Sequence, residues 1–169
     1  MAGRNHIFVL NHNGRLLLNE CMPSVVACAR DAEAACRVTV IDNESSDGSV
    51  EFVERTWPDV GILRMPNRGL VSFNDAVRQV DEPVVLLLNN DVKLAPGCVD
   101  HLSEPLEQHA DGFLAAPFCW SFDGRVEGTC SELVFDRGLV RTQHPAGRAI
   151  GALCSPGYTA SAGAVLAVH

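Results

Sequence analysis

VVLLLNNDV, Val84 to Val92, carries five apolar residues without alternation straight into two amides and an acid. A run with no polar face suits a strand covered on both sides, as the central strands of parallel α/β sheets are. Its polar exit, Asn89, Asn90 and Asp91, then falls at the carboxyl end of a strand. That is where the ligands of open α/β sheets gather.

Upstream, strand and helix patterns alternate with turn residues at each boundary. HIFVL (6–10) reads as a first strand ended by NHNG. RLLLNECMPSVVACAR places Leu17, Leu18, Cys21, Met22, Val25, Val26 and Ala29 on one helical face, with Pro23 predicted to kink that helix or restart it. RVTVID (37–42) is a second strand emptying into NESSDGS, before a helix over SVEFVERTW. GILRMP (61–66) reads as a third strand, and Ser72 and Asp75 stand at capping-box spacing for a helix starting near 72. Beyond the opening stretch, Pro96 suits the first turn of a helix reaching about Gln108, with Pro105 able to shorten it. From GFLAAPF (112–118) the pattern changes to short runs, SELVFD, LVRTQ and TASAGAVLAV, read as a smaller antiparallel or mixed addition to the same sheet. The expectation is one α/β domain over residues 1–169.

The totals agree with that size. A chain of 169 residues with 47% hydrophobic and 20% charged residues can bury a sizeable core. Its net charge of -8 gives no basic footprint for nucleic acid or an anionic membrane surface. A diphosphate would be repelled at long range, but screening over about 8 Å leaves the outcome to nearby groups or a metal ion. The short apolar run at the start is no signal peptide, and no segment reaches the roughly 18 apolar residues of a membrane helix, so a cytoplasmic protein is expected. The seven cysteines form no CxxC pair and read as small buried apolar residues. Asn43-Glu44-Ser45 matches a glycosylation acceptor, which would matter only in a secreted protein. The histidines form no ligating array, leaving His12 a ligand-edge contact at most.

Three polar clusters follow apolar strands: Asn11 to Gly14, Asp42 to Gly48, and Asn89 to Asp91. Right-handed crossovers between parallel strands would bring all three to one edge of one sheet. Each cluster alone also suits an ordinary turn. Acids at two strand ends are less expected of turns, because carboxylates about 5 Å apart repel by roughly 3 kcal/mol at an effective dielectric near 20. A divalent cation or a hydroxyl-rich ligand would relieve that. Asp42 can accept from a base or sugar edge, while Ser45, Ser46 and Asp47 suit helix capping as well as a pocket. Asp91 is a hard oxygen ligand for Mg²⁺ or Mn²⁺, and Asn89 and Asn90 can donate to phosphate or ribose oxygens. In NRGLVSFND, Gly69 permits close backbone approach, Arg68 can meet a phosphate, and Asn74 falls in a first helical turn. A loop with a solvated arginine is the alternative there.

In this order, NHNG, VTVIDNESSDGS, PNRGLVSFNDAV and VVLLLNNDVKLAPG, over about residues 6–108, resemble the N-terminal nucleotide-binding half of a family 2 glycosyltransferase, particularly its rhamnosyltransferase-like branch. The resemblance implies a GT-A (Rossmann-like) three-layer sandwich with a mostly parallel central sheet. Residues 1–110 would bind the nucleotide sugar, and 111–169 would begin the acceptor-side part. Asp42 would contact the base, with Asn43, Ser45 and Asp47 shaping its pocket. Asn89, Asn90 and Asp91 would take the place of the DXD motif, Asp91 holding a Mg²⁺ or Mn²⁺ that bridges the donor diphosphate. Asn89 stands where the first acid of that motif is usual. With Asn11, Asn13, Arg68, Gly69 and Asn74 these residues make up the expected site for a donor of UDP, dTDP or GDP type.

The reaction implied is inverting transfer of a hexose or deoxyhexose to a polysaccharide or glycolipid precursor, that is, to a glycan or lipid-linked acceptor. Relatives continue beyond a segment like TASAGAVLAV to an Asp or Glu that acts as general base; none is nominated up to His169. A truncated, non-catalytic module that binds a nucleotide sugar or a partner is therefore the alternative. Peripheral membrane association stays open and the oligomeric state unread. No Walker A sequence points to a kinase, and NHNG lacks the glycine-rich, arginine-containing loop of a nucleotidyltransferase.

Overall fold

The apolar runs of the central strands are buried on both faces, and this builds three layers. The computed structural model describes residues 5–117, 119–123, 126–127, 131–143, 159–160 and 165–168. In chain order it forms β1 (Asn5–Asn11), α1 (Arg15–Asp31), β2 (Cys36–Asn43), α2 (Ser49–Thr56), β3 (Gly61–Met65), α3 (Ser72–Val77), β4 (Val84–Asn89) and α4 (Cys98–Gln108). Short strands follow: β5 (Leu114–Ala115), β6 (Cys119–Trp120), β7 (Val126–Glu127), β8 (Ser131–Asp136), β9 (Leu139–Gln143), β10 (Thr159–Ala160) and β11 (Val165–Val168).

The main sheet has the order β3-β2-β1-β4-β11-β5. Its first four strands are parallel, and β11 runs antiparallel between β4 and β5. Ile7, Val9, Val38, Val40, Val84, Leu86 and Leu88 point to one face, against Leu18, Met22 and Val25 of α1, Val53 of α2, and Val99, Leu102 and Leu106 of α4. Phe8, Ile41 and Val85 point to the other, against Phe73 and Ala76 of α3. Each fully buried side chain of this kind stabilises the fold by about 1.5–3 kcal/mol. The stretch read as a central strand thus lies between β1 and β11 with helices on both faces. The later strands give the smaller mixed part: β10-β8-β9 and β6-β7 form two antiparallel sheets beside the main one.

Local signals were overruled at several points. Pro23 does not restart α1, which is continuous over Arg15–Asp31. A proline in a helix interior costs about 3 kcal/mol, but Met22 and Val25 on either side are buried and hold the helix on the sheet. Pro105 likewise lies within α4, flanked by buried Leu102 and Leu106, and does not shorten it. Pro96 precedes the N-cap Gly97, whose φ of 75° turns the chain into α4, so it is not a first-turn residue. The Ser72–Asp75 capping box does not form. A 3-10 turn over Gly69–Val71 carries Ser72 into the helix with αR geometry, and Asp75 binds Arg68 and Arg78 instead.

Cys21 and Cys28 are buried, Cys36, Cys98 and Cys119 half-buried, and none of the five forms a disulfide. Burial pushes the Cys36 thiol up to about 12 and Cys98 to about 11, so both stay protonated and inert. Cys130 and Cys154 lie outside the described residues. Among the described residues no helix is long and apolar enough to cross a membrane.

Candidate functional site

Parallel pairing sets the strand ends side by side: Asn11 is opposite Asp42 on β2, and Leu10 is opposite Asn89 on β4. The three polar clusters therefore do meet at one edge. Asn11, 1% exposed, joins them. Its Nδ2 donates to Ser45 Oγ (3.1 Å) and Ser49 Oγ (3.0 Å), and its Oδ1 accepts from Asn90 Nδ2 (2.8 Å). The close approach needs Gly14, because a Cβ there would stand 2.0 Å from Asn90 Nδ2 and 2.6 Å from Asn11 Oδ1. Ser49 was not singled out in the sequence. Its only signal was a place at the head of a helix.

Asn13 takes a left-handed φ of 51°, a conformation asparagine tolerates better than most residues. From there its N–H donates to Ser45 Oγ (2.9 Å) and its Oδ1 accepts from Ser46 N (2.7 Å). His12 Nδ1 donates to the Asn43 carbonyl (2.6 Å), leaving Nε2 to accept from Asn13 Nδ2 (3.3 Å). Asp47 joins two helix starts, Oδ2 accepting from Arg15 N (2.9 Å) and Oδ1 from Ser49 N (3.1 Å). Burial raises its pKa, but hydrogen bonds from Ser49 and Arg15 outweigh that and hold the carboxyl below its ordinary value.

Asp42 is 4% exposed. One oxygen, Oδ2, accepts from Ser45 N (3.3 Å), while Oδ1 is buried with no partner. Asn43, one residue on, points to the opposite face; Nδ2 donates to the Gly69 carbonyl (3.1 Å) and Oδ1 is also unpartnered. Orphaned buried acceptors cost about 1–3 kcal/mol each, more when charged, and a ligand bearing N–H or O–H groups would satisfy them. Asp42 lines a cavity of about 420 Å³ with Glu44, Ser45, Glu51, Arg64 and Met65. Glu44, at φ 58°, steadies the neighbouring loop by accepting from Asn67 N (3.0 Å).

Other expected residues stand apart. Asn89, Asn90 and Asp91 do not line the Asp42 cavity. Asn89 is half-exposed, and Asn90 is engaged with Asn11. Arg68 is exposed and donates to Asp75 through Nη1 (2.7 Å), and Asn74 is exposed too. Gly69, with φ 58°, has nothing within 4 Å of a Cβ position, so the space beside it is open. Asp91, just past β4, is exposed and makes no hydrogen bond or ion pair among the described residues. No group of three His, Cys, Asp or Glu side chains there could hold a metal by itself. The free Asp91 carboxylate still fits Mg²⁺ or Mn²⁺, which take one or two protein carboxylates and complete their shells with phosphate and water.

An open sheet with helices on both faces, polar groups gathered where its parallel strands end, and antiparallel strands appended beyond β4 defines a Rossmann-like fold of the GT-A type. The chain belongs to the glycosyl transferase family 2, whose profile matches residues 6–150. Solved structures agree on the fold. A mannosyltransferase from Pyrobaculum calidifontis, in complex with GDP-Man and Mn²⁺, is 21% identical with a TM-score of 0.50, over 68% of this chain and 35% of its own. TarS from S. aureus (residues 1–349) is 16% identical with a TM-score of 0.60, over 78% of this chain and 41% of its own. The same protein in complex with UDP-GlcNAc gives a TM-score of 0.52 at 17% identity. This chain thus spans well under half the length of these proteins. No curated protein sequence matches it significantly.

Proposed function

We propose that this chain is the donor-binding part of a glycosyltransferase that transfers a hexosyl or deoxyhexosyl group from a nucleoside diphosphate sugar, with inversion, to a polysaccharide or glycolipid precursor. The observation that carries the reading is the unpartnered Asp42 Oδ1 beside a cavity at the carboxyl edge of a GT-A sheet. Nucleobases with an exposed N–H, such as uracil, thymine and guanine, offer the donor it lacks. Asn43, Ser45 and Asp47 shape the base pocket, and Asn11, Asn13, Gly69, Asn74 and Asn89 serve the rest of the nucleotide sugar. Arg68 would have to leave Asp75 to reach a phosphate. Asn90, braced by Asn11, keeps the turn after β4 in place. A Mg²⁺ or Mn²⁺ held by Asp91 would offset the charge that grows on the departing diphosphate. Membership of the rhamnosyltransferase-like branch and a cytoplasmic location belong to the same proposal.

Thermal unfolding with UDP, dTDP and GDP, each with and without Mn²⁺, tests it. Ligand at about 100 times its dissociation constant should add about 2.7 kcal/mol of stability. Asp91→Ala should remove the Mn²⁺-dependent part of the shift and leave the unliganded protein within about 0.5 kcal/mol of its original stability. A shift from none of the three nucleotides, at concentrations saturating for related donors, would sink the reading. Turnover of a labelled donor then separates transfer from binding alone.

A further inference from the structure

A second cavity, of about 410 Å³, lies between the start of α1 and the length of α2 and is lined by Arg15, Ser45, Ser46, Glu51, Phe52 and Arg55. Its two arginines are unusual in this molecule. Among residues 5–117, Arg30, Arg37, Arg64, Arg68, Arg78 and Lys93 each have a carboxylate at ion-pair distance. Arg15 and Arg55 are the remaining arginines or lysines of that span; among the described residues they have none, and both line this hollow. Glu51 and Arg55 stand one helical turn apart on α2, a spacing that favours pairing, yet they do not pair. In a chain of net charge -8, two neighbouring unpaired guanidiniums are left for an anion supplied from outside.

The site is also partly organised. The Arg15 guanidinium lies over the Phe52 ring, 5.4 Å from its centroid, and a stacked guanidinium keeps its N–H edge free for oxygen acceptors. Gly48 lies beside both the cation and the acid. Its φ of 76° disfavours any side chain, and a Cβ there would stand 3.9 Å from Arg15 Nη1 and 4.0 Å from Glu51 Oε2. The hydroxyls of Ser45 and Ser46 complete the wall. Two forks of N–H donors suit a phosphate, which bidentate guanidiniums recognise better than a point charge does. A carboxylate among them suits a ligand that brings hydroxyls as well.

We propose that this hollow binds a small hydroxylated phosphate ester, Arg15 and Arg55 holding the phosphate and Glu51 accepting from a hydroxyl. The inference stands whether or not the Asp42 cavity takes a nucleotide. Ser45 and Glu51 line both cavities, so the two occupants would lie against a shared wall.

Calorimetric titration at low salt with inorganic phosphate and with glycerol 3-phosphate tests this in the wild type and in Arg15→Gln, Arg55→Gln, Glu51→Gln and Arg78→Gln. Saturable binding of glycerol 3-phosphate is expected, weakened about tenfold or more by either Arg15→Gln or Arg55→Gln and unaffected by Arg78→Gln. Glu51→Gln should weaken glycerol 3-phosphate and leave inorganic phosphate no weaker, since it removes a like charge. Thermal melts of the same variants should match the wild type, because these arginines are exposed. No saturable binding, or equal losses in Arg78→Gln, overturns the site. Binding that requires both arginines but ignores the glycerol moiety and Glu51 assigns the hollow to free phosphate and overturns the ester.

Discussion

The two ends of the central sheet are both polar, yet they treat their polar groups differently. At the amino end, His6 and the Glu82 side chain are buried, 5% and 4% exposed, and Asn5 is fully buried beside them. His6 Nε2 meets Thr39 Oγ1 at 2.8 Å, its Nδ1 lies 3.6 Å from Glu82, and Glu82 is ion-paired with Arg37. Burial, then the Arg37 charge, lower the His6 pKa to about 4, so its ring is neutral at pH 7. At the carboxyl end, Asn11, Asn13, Ser45, Asp47 and Asn90 are cross-linked by hydrogen bonds, and both cavities described above open among or beside them. The sealed end keeps its groups away from both cavities, even though Asn5 Nδ2 and Oδ1, His6 Nδ1 and Glu82 Oε2 are buried there without a hydrogen-bond partner. The other end fixes the positions of its groups while keeping acceptors and cations available.

The largest expected effect breaks the sealed end with acid. His6 has a folded pKa of about 4 against about 6.5 unfolded, so between those values the unfolded chain binds more protons. Stability is then full above about pH 6.5 and falls as the pH drops toward 4, by at most about 3 kcal/mol from this group. Urea titrations across that range check it. His6→Gln should flatten the slope, and an unchanged slope would remove His6 as its source.

A smaller effect is expected at the cross-linked end. Gly14→Ala drives a methyl into the Asn11–Asn90 contact, and the loss of that buried bond should lower stability by about 1–3 kcal/mol. Nucleotide binding should weaken with it, read by titration with UDP. Intact stability would mean that the two amides swing aside and that their bond carries little.

The smallest change in stability sharpens the contrast most. Asp42→Asn removes a buried charge with one orphaned oxygen, so stability should move by no more than about 1 kcal/mol, in either direction. Nucleotide affinity should nevertheless drop by about tenfold, because the charged acceptor is replaced by a weaker, neutral amide. Urea denaturation and UDP titration on one preparation read both. A large loss of stability with unchanged affinity would make Asp42 structural.

Much of this was legible in the residues. VVLLL lacks a polar face because β4 has helices on both sides and a strand on each edge, and strand ends rich in Asn, Asp and Ser mark the carboxyl edge of a parallel sheet. What stayed hidden depends on partners distant in sequence. The bond between Asn11 and Asn90 spans 79 residues, and nothing local to either amide specifies it. Arg68 read as free because its partner Asp75 had been given a capping role, which vanished once the 3-10 turn moved Ser72 into the helix. Pro23 and Pro105 misled for a related reason: local propensity is worth about 3 kcal/mol, and the burial of neighbouring side chains exceeds it.

The place of β11 has a practical consequence. Val165–Val168 returns across some eighty residues to pair with Val85–Leu88, and among the described residues it is what covers that flank of β4. A shorter version ending before Val165 would leave a row of unsatisfied amides and carbonyls along the apolar strand β4. Such a row is a template for sister chains, so removing β11 should promote precipitation by strand addition.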